Sequence, residues 1–500
     1  MKLIECSAQK LKRVSKKKKI ICFGAGDRLN RIFAAFPDLK IEKNVSFILD
    51  NDEKKWQDYR LLNGEKIEIK KPSLLKEINV SDYIIVITTY RVNEVFAQIQ
   101  NYTNNVETIC IKDIPYRFQA AFWLEKIISF FPLKNSIVFQ GEGDTCENAV
   151  ALGKELLKSN AGRKYKIYWL CDHPKMFHST KQETHINRNS NLADVSFLEL
   201  LKYINATNRS KYLIFENQMI KKKRDTQISV YLNHGAPPLK ATKGKINLAN
   251  NLNYSLCPSV ACADIVSEQF SINKERLLYC GSPRTDVLFD DQIHEGVAQL
   301  FNRKLYKKII LWVPTFRQFY RYGRIDSKKE YKSGMPIVEE EMDWIKLADE
   351  LEKEEVLLLI KPHLYQDLTK LKIKKNKYII FVTQNDLNTV KMNVYDLMKA
   401  CDAMITDYST IAFDFMHLDR PIGYTIDDIN EYTLGFSVND PLTYMPGNKI
   451  NDMNEYISFI HQIAVGDDLY KEERNSVSRL VHGDFSDGKN AKRLINLLGL

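Results

Sequence analysis

CDAMITDYSTIAFDFMHLDRPIGY, residues 401–424, contains the pattern that decides the fold. The apolar run 403–405 predicts a buried strand and a polar turn follows it. An apolar-periodic helix is then predicted at 411–418, and Arg420 and Pro421 end it before the next strand. Strands that alternate with helices in this way are typical of an α/β fold with parallel strands. Ser409 and Thr410 stand where the helix begins. They are either an ordinary helix cap or ligands for a diphosphate, because a helix start carries partial positive charge.

The composition predicts a folded protein of several domains. With 500 residues, of which 44% are hydrophobic and 27% charged, the chain is expected to form two or three globular domains. It has no apolar run of membrane-spanning length, and its first residues lack a secretory signal, so we expect a cytoplasmic protein. The nine cysteines are scattered without paired spacing, which predicts reduced thiols and no metal site.

The net charge of +10 indicates possible anionic partners. The densest basic runs lie at residues 16–19 and 221–224, and we expect solvated loops there. The second interpretation is attraction to the anionic inner face of the cell membrane or to a polyanionic acceptor. Nucleic acid is not expected as a partner, because the sequence contains no known nucleic-acid-binding module.

Residues 1–118 are predicted to form a small Rossmann-like accessory domain. Strands are predicted at 19–24, 45–49 and 83–88, with a Gly24-Ala25-Gly26 turn after the first and Asp50 after the second. Asn30 replaces the third small residue of the dinucleotide fingerprint, so dinucleotide binding is not favoured. The region resembles the small Rossmann-like domains attached to bacterial surface-sugar enzymes, where recognition or assembly is the usual role.

Residues 119–285 and 286–500 are predicted to form two further α/β units. The predicted strands lie at 136–140, 166–170, 212–215, 228–232 and 253–256 in the first unit, and at 308–313, 356–360, 378–382 and 403–405 in the second. A final helix at 489–498 is expected to cross back onto the preceding unit. The polar stretch around His173, His178 and His185 is predicted to be a loop without a metal.

Five ordered blocks between residues 230 and 495 resemble the signature of the CDP-glycerol glycerophosphotransferases, bacterial enzymes that build teichoic-acid-like and capsular polymers. The blocks are Asn-His-Gly-Ala-Pro at 233–237 with Lys240 and Lys243, Gly-Ser-Pro-Arg-Thr-Asp-Val-Leu at 281–288, Val-Pro-Thr-Phe-Arg at 313–317, Asp-Tyr-Ser-Thr at 407–410 with the helix behind it, and Asp-Gly-Lys at 487–489 with Arg493. The first 120 residues have no part in this resemblance.

The resemblance implies a GT-B-like pair of Rossmann-like lobes, with the acceptor side in 119–285 and the CDP-donor side in 286–500. It implies transfer of glycerol phosphate from CDP-glycerol to a hydroxyl of a surface glycan or a teichoic-acid-like or capsular polymer, with release of CMP and without a cofactor or metal. The alternatives are a CDP-ribitol-dependent transferase, a nucleotide-sugar glycosyltransferase of the same fold, and a non-catalytic scaffold.

His234 is the candidate general base. It follows the predicted strand 228–232, and ligands of open α/β sheets bind at the carboxyl ends of strands. The ordinary histidine pKa of about 6.5 suits proton transfer near neutral pH. The alternative is a histidine that only caps a turn, and the family resemblance favours the catalytic role.

The other candidate residues are assigned to phosphate. His363 is expected to donate to a phosphate oxygen and Lys361 to add charge, although Pro362 precedes the histidine here whereas proline follows it in the family. Arg284 and Arg317 present planar donor forks, with ion pairing as the alternative role. Ser409 and Thr410 are the strongest candidates for the diphosphate, and Asp407 is expected to orient their loop. The remaining residues that the resemblance brings into view are Asp414 and His417, which we expect to be structural, and Leu434, which replaces a family arginine.

Overall fold

A computed structural model describes residues 3–500, apart from 7, 27, 30–31, 34–40, 63–64, 90, 112–123, 142–146, 160–161, 189–195, 217–218, 234, 236–238, 244–251, 316, 320–323, 330, 364–365 and 367–375. The chain divides into two units, one of Met1–Pro132 with Ile186–Arg209 and one of Leu133–His185 with Ser210–Leu500. The domain limits 1–118, 119–285 and 286–500 remain sequence predictions.

Helices surround three sheets that are mostly parallel. The helices that lie wholly within the described residues are α1 (Ala8–Ser15), α2 (Val92–Tyr102), α3 (Glu147–Lys158), α4 (Phe197–Arg209), α5 (Ala263–Phe270), α6 (Val297–Leu300), α7 (Glu341–Lys353), α8 (Gln384–Thr389), α9 (Val394–Lys399), α10 (Ile411–Met416), α11 (Met453–Val465), α12 (Lys471–His482) and α13 (Asn490–Leu498).

The first unit contains a seven-stranded sheet in the order β1-β7-β6-β2-β3-β5-β4. Its strands are β1 (Leu3–Cys6), β2 (Lys19–Phe23), β3 (Val45–Leu49), β4 (Tyr59–Leu62), β5 (Glu65–Lys70), β6 (Tyr83–Ile87) and β7 (Glu107–Ile111). The central strand β2 pairs in parallel with β3 and β6, and only β4 and β5 pair antiparallel. Both faces of β2 are buried, as its apolar sequence requires. The predicted N-terminal Rossmann-like sheet is therefore confirmed.

A seven-stranded sheet in the order β10-β9-β8-β11-β12-β13-β14 belongs to the second unit, apart from the last two residues of β10. Its strands are β8 (Lys134–Gln140), β9 (Lys166–Cys171), β10 (Glu183–Asn187), β11 (Ser210–Phe215), β12 (Ile228–Tyr231), β13 (Tyr254–Cys257) and β14 (Leu277–Tyr279). The loop prediction around His185 is wrong in part, because that residue lies in the edge strand β10. Edge strands carry polar side chains, which is why the apolar pattern missed it.

A third, six-stranded sheet follows in the order β19-β18-β15-β20-β21-β22. Its strands are β15 (Lys308–Trp312), β18 (Val356–Ile360), β19 (Ile379–Phe381), β20 (Ala403–Thr406), β21 (Ile422–Thr425) and β22 (Asn448–Ile450), and β16 (Gln318–Phe319) pairs separately with β17 (Arg324–Ile325). The pairs β15–β18, β15–β20 and β20–β21 are parallel, so their carboxyl ends share one edge. The polar residues after these strands lie along that edge.

The C-terminal helix α13 packs on the second sheet, as the sequence predicts. Leu494, Ile495 and Leu498 join the core that contains Ile137 and Phe139. In addition, the Tyr212 hydroxyl donates a hydrogen bond of 3.0 Å to the Leu498 carbonyl. The end of the chain thus packs on a sheet whose strand β11 precedes it by almost three hundred residues.

Two general expectations concern membranes and thiols. Among the helices that the structure describes, none is both long and apolar enough to span a bilayer. The seven cysteines whose side chains the structure describes are buried, and none of them forms a disulfide with another.

Candidate functional site

Arg317 lies between two buried carboxylates. Its Nε donates to Asp428 Oδ2 at 2.6 Å and its Nη1 donates to Asp407 Oδ2 at 2.6 Å. All three side chains are almost fully buried. A guanidinium held in this way has little capacity left for a ligand, and the ion-pairing alternative describes Arg317 well.

Asp407 joins two of the sequence blocks. Thr315 donates to Asp407 Oδ2 from its backbone N–H at 2.9 Å and from its hydroxyl at 2.8 Å. Burial acts to raise the pKa of Asp407, but the nearby Arg317 and Lys240 outweigh burial and hold that pKa below its ordinary value. The carboxylate therefore stays charged and connects the turn that carries Ser409 to Thr315 and Arg317; that it orients this loop for a ligand remains a prediction. Its Oδ1 is buried and takes no hydrogen bond from any described residue.

Ser409 and Thr410 follow Asp407 at the surface of this site. Both are half-buried, and their hydroxyls form no hydrogen bond within the described part of the chain. Helix α10, which begins behind them, has six residues and ends earlier than the sequence predicts. Because a short helix carries little macrodipole, binding of an anion here depends on these hydroxyls and on nearby cations.

A loop after β21 packs aromatic rings around Arg317. Tyr432 and Phe436 lie 4.6 and 5.2 Å from the Tyr408 ring, centroid to centroid. The same loop pairs with the segment behind the candidate base: Ala241 N–H donates to Gly435 O at 3.0 Å, and Ser437 N–H donates to Leu239 O at 2.9 Å. We call these paired segments, 239–241 and 435–437, the backbone bridge.

Arg284 is also buried in an ion pair. Its Nε donates to Asp414 Oδ2 at 2.9 Å, and the Tyr395 hydroxyl donates to the same oxygen at 2.7 Å. The second sheet carries Arg284 just beyond β14, whereas Asp414 lies in α10, so the pair connects the two sheets of this unit. The structural role expected for Asp414 agrees with this geometry, and Arg284 takes the ion-pairing alternative.

Lys361 stands at the carboxyl end of β18 and is half-buried. Burial lowers its pKa, and the carboxylate of Glu147, at the start of α3, acts in the opposite direction. Its ammonium has no hydrogen bond or ion pair within the described residues, which leaves it available for a phosphate. His363, also half-buried, lies two residues further on.

His234, the candidate base, lies outside the described residues. The two residues before it, Leu232 and Asn233, are described and are held in place by their contacts. Asn148 Nδ2 donates to Leu232 O at 3.0 Å, and Asn148 Oδ1 accepts the Arg284 N–H at 3.0 Å. Asn233, directly before the histidine, is fully buried and has a φ of 26°, a backbone conformation that is uncommon for residues other than glycine. Such backbone strain is frequent at functional sites.

The sequence analysis missed two buried acids near these contacts. Glu216 directly follows β11 and accepts the Ala149 N–H at 2.6 Å, and burial raises the pKa of Glu216 to about 8. Burial likewise raises the pKa of Glu147, while Arg284 and Lys361 oppose that shift. The rule that placed His234, a polar residue just past a strand, also identifies Glu216.

Two sequence blocks serve packing rather than the site. Asp286 accepts the N–H groups of Asn490 and Ala491 at 2.9 and 2.8 Å, and so caps the start of α13. Asn490 Nδ2 donates in turn to the Ser282 carbonyl at 3.2 Å. The blocks at 281–288 and 487–489 therefore hold the C-terminal helix on the second sheet.

His417 stacks on His482 in the core, with ring centroids 3.8 Å apart, in keeping with the structural role expected for it. Burial lowers the pKa of both imidazoles, and the neighbouring His482 lowers that of His417 further. His482 Nε2 lies 2.9 Å from the Phe413 carbonyl, so this pair supports the helix behind Ser409 and is not a catalytic dyad.

The glycine turn of the first unit is closed by its own chain. Asp50 Oδ2 accepts the Ala25 N–H at 2.7 Å, and Asp50 Oδ1 accepts the Asp52 N–H at 2.9 Å. A phosphate at this turn would meet a carboxylate that already occupies the N–H group. The geometry supports the sequence interpretation in which dinucleotide binding is not favoured.

Comparison with known proteins decides the family. The family model described as CDP-glycerol:poly(glycerophosphate) glycerophosphotransferase matches residues 125–499. The chain belongs to this family. The match covers the second unit and leaves most of the first unit outside it, in agreement with the extent of the sequence blocks.

Relatives in the family make both glycerol-phosphate and ribitol-phosphate polymers. The teichoic acid poly(glycerol phosphate) polymerase of Bacillus subtilis (strain 168) is 26% identical over 375 residues, which cover 68% of this chain and 45% of the relative. The teichoic acid ribitol-phosphate polymerase TarK of Staphylococcus aureus (strain NCTC 8325 / PS 47) is 25% identical over 234 residues, 46% of this chain and 42% of the relative. The chain thus spans less than half the length of either polymerase.

A solved structure of the wall teichoic acid polymerase TagF shares the fold. It is 18% identical, has a TM-score of 0.58, and covers 82% of this chain and 98% of its own. The two parallel sheets of the second unit are therefore the GT-B-like pair that the resemblance implies. The roles of the individual site residues in this glycerophosphotransferase-family chain remain predictions.

Proposed function

We propose that the chain transfers glycerol phosphate from CDP-glycerol to a hydroxyl of a surface glycan or a teichoic-acid-like or capsular polymer, and releases CMP. The observation that carries the proposal is the turn of Asp407, Ser409 and Thr410. Family membership gives this turn its context. The hydroxyls of Ser409 and Thr410 form no hydrogen bond within the described residues, and Arg317 and Lys240 act on Asp407 in the same turn. A donor diphosphate needs such hydroxyl donors and cations.

The proposed reaction is a direct substitution at the phosphorus that carries the glycerol. His234 takes the proton from the acceptor hydroxyl, whose oxygen then forms a bond to that phosphorus as the bond to the CMP oxygen breaks. Lys361 and His363, at the carboxyl end of β18, oppose the negative charge that develops on CMP. The step as proposed uses no resident cofactor or metal, because the chain's own groups supply the proton acceptor and the positive charge.

CDP-ribitol is the second candidate donor. The ribitol-phosphate polymerase and the glycerol-phosphate polymerase are almost equally similar to this chain, so similarity does not choose between the polyols. A nucleotide-sugar glycosyltransferase of the same fold would release a nucleoside diphosphate in place of CMP, and this difference separates the reaction classes.

The test is CMP release by the purified chain from CDP-glycerol and from CDP-ribitol, each with a short polyol-phosphate acceptor. We expect CMP from CDP-glycerol at a rate at least about tenfold above that from CDP-ribitol, since one or two pocket contacts give discrimination of this size. The reverse preference would establish the ribitol alternative. Binding of neither donor would contradict polyol-phosphate transfer.

We further propose contact with an anionic membrane. Two packed helical segments of the first unit, residues 124–129 and α4, bury Ile128, Leu200 and Ile204 against each other. The first segment, the turn after it and the start of α4 leave large apolar side chains at the surface, namely Ile127, Phe130, Phe131, Phe197 and Leu198. Exposed apolar faces of this kind, together with basic side chains, bind lipid interfaces.

Cosedimentation with vesicles checks the membrane contact. Replacement of Phe130, Phe131 and Phe197 by serine is expected to lower binding to vesicles of phosphatidylglycerol and phosphatidylcholine about fivefold or more, because the exposed rings no longer enter the interface. Leu305→Ser, at a leucine that is 66% exposed elsewhere, is the matched control. Equal binding of the triple variant and the control would contradict the proposal.

A further inference from the structure

The backbone bridge fixes Lys240 near the turn of Asp407, Ser409 and Thr410. Lys240 pairs with Phe436 in an antiparallel arrangement, with Ala241 N–H on Gly435 O and Ser437 N–H on Leu239 O on either side. Gly435 adopts a φ of 70°, which favours glycine, so the shape of this loop is specified by the sequence. The bridge brings a lysine from the segment behind His234 to the loop that surrounds Arg317.

The buried charges around Arg317 do not balance. One guanidinium faces the carboxylates of Asp407 and Asp428, so the three side chains together carry a negative charge. Asp407 Oδ1 is buried without a donor among the described residues. A diphosphate bound beside this turn would add negative charge next to negative charge, and it therefore requires a further cation.

Lys240 is the cation placed to offset both the negative charge around Arg317 and the negative charge of a bound diphosphate. It acts electrostatically on Asp407 and contributes to the low pKa of that carboxyl. Its ammonium lies 6.0 Å from the centroid of the Tyr432 ring, which also packs against Tyr408 and Phe436. The aromatic rings lower the local dielectric and so strengthen the effect of a charge. The flexible lysine stem lets the ammonium move toward a ligand, whereas the paired guanidinium of Arg317 is held in place.

We propose that Lys240 binds the diphosphate of the donor beside the turn of Asp407, and that Lys240 takes the phosphate-binding role that the sequence assigned to Arg317. This inference rests on the proposed function, because it presupposes a CDP-polyol donor. In this proposal the backbone bridge positions the phosphate ligand, because it fixes the segment 239–241 against the loop at 435–437.

Calorimetric titration of the full chain tests the proposal. Lys240→Ala is expected to weaken the affinity for CDP-glycerol about tenfold or more, the effect of one charge-assisted hydrogen bond, and to change the affinity for CMP by less than about threefold. Lys240→Arg should retain most of the affinity for CDP-glycerol. The affinity of the unmodified chain should also fall more steeply with added salt than that of Lys240→Ala.

The control is Lys243→Ala, three residues away. Lys243 is exposed and paired with Glu268 at 2.9 Å, and its loss should leave donor affinity unchanged. A gain-of-charge variant shows whether the loss of affinity in Lys240→Ala comes from misfolding. Leu434→Arg in the Lys240→Ala background places a cation beside Gly435 in the bridged loop and should restore part of the affinity. Donor affinity of Lys240→Ala within twofold of the unmodified chain would overturn the role of Lys240 and leave the proposed function standing. Failure of the unmodified chain to bind CDP-glycerol or CDP-ribitol would overturn the proposed function and this inference together.

Discussion

Replacement of His234 by alanine is expected to lower the rate of CMP release about 10²- to 10⁴-fold, the usual contribution of a general base. Donor affinity should change by less than about threefold, because the base acts on the acceptor hydroxyl. The measurement is kcat for CMP release together with the Kd for CDP-glycerol. The anchor of this loop, Asn148 on the Leu232 carbonyl, is two residues away from the histidine and is unaffected by the substitution.

A pH profile separates a catalytic from a structural role for His234. A base with the ordinary histidine pKa of about 6.5 makes the rate fall as the pH drops below about 7, and this limb should be absent from the residual activity of the alanine variant. His178→Ala, at an exposed histidine outside the site, should retain both the rate and the limb. A near-normal rate in His234→Ala would show that the base is another group, with Glu216 as the first to examine.

The sequence predicted the sheets well because their strands are buried on both faces. Val356–Ile360 and residues 403–405 are apolar throughout, and an uninterrupted apolar run between polar turns has few other structures to adopt. The apolar pattern did not predict strand β10, because this strand lies at a sheet edge and carries the polar residues Glu183 and His185. The length of α10 was overestimated because the apolar pattern continues to Leu418, although the helix ends at Met416.

The individual roles at the site were harder to predict than its location. Residues just past strands were expected to gather at one edge, and Thr315, Asp407 and Arg317 do meet there. What the sequence could not show is which partner neutralises which charge. Arg284 and Arg317 match phosphate in shape, but they match carboxylates equally well, and Asp414 and Asp428 reach them in the fold. Pairing over more than one hundred residues of chain leaves no local signal.

The two lysines of the site are consequently our candidates for binding the donor, in preference to the arginines. Lys361 has no partner among the described residues, and Lys240 faces a cluster with excess negative charge. Lysine carries its charge on a flexible stem and meets phosphate as a point charge. We therefore expect the arginines to stabilise the fold of the site and the lysines to bind the substrate.

Loss of Arg317 is therefore expected to affect stability first. Arg317→Met leaves Asp407 and Asp428 buried and unpaired, and removal of one partner from such a group costs about 3–5 kcal/mol in the free energy of unfolding. Urea denaturation of the unmodified chain and the variant measures this loss. Adding Asp428→Asn to Arg317→Met should recover part of it, because the double variant removes one of the stranded charges. Lys332→Ala, which breaks an exposed pair with Glu340, should show no measurable loss.

The same variant distinguishes the two assignments of the donor cation. If Arg317 binds the diphosphate, Arg317→Met should keep its stability and lose donor affinity about tenfold or more. If Arg317 holds the two carboxylates, the folded fraction of the variant should still bind CDP-glycerol within a few-fold of the unmodified chain, whereas Lys240→Ala should not. Arg317→Met should lower the unfolding midpoint and leave the donor Kd nearly unchanged, whereas Lys240→Ala should raise the donor Kd. The two measurements on each variant therefore assign the role.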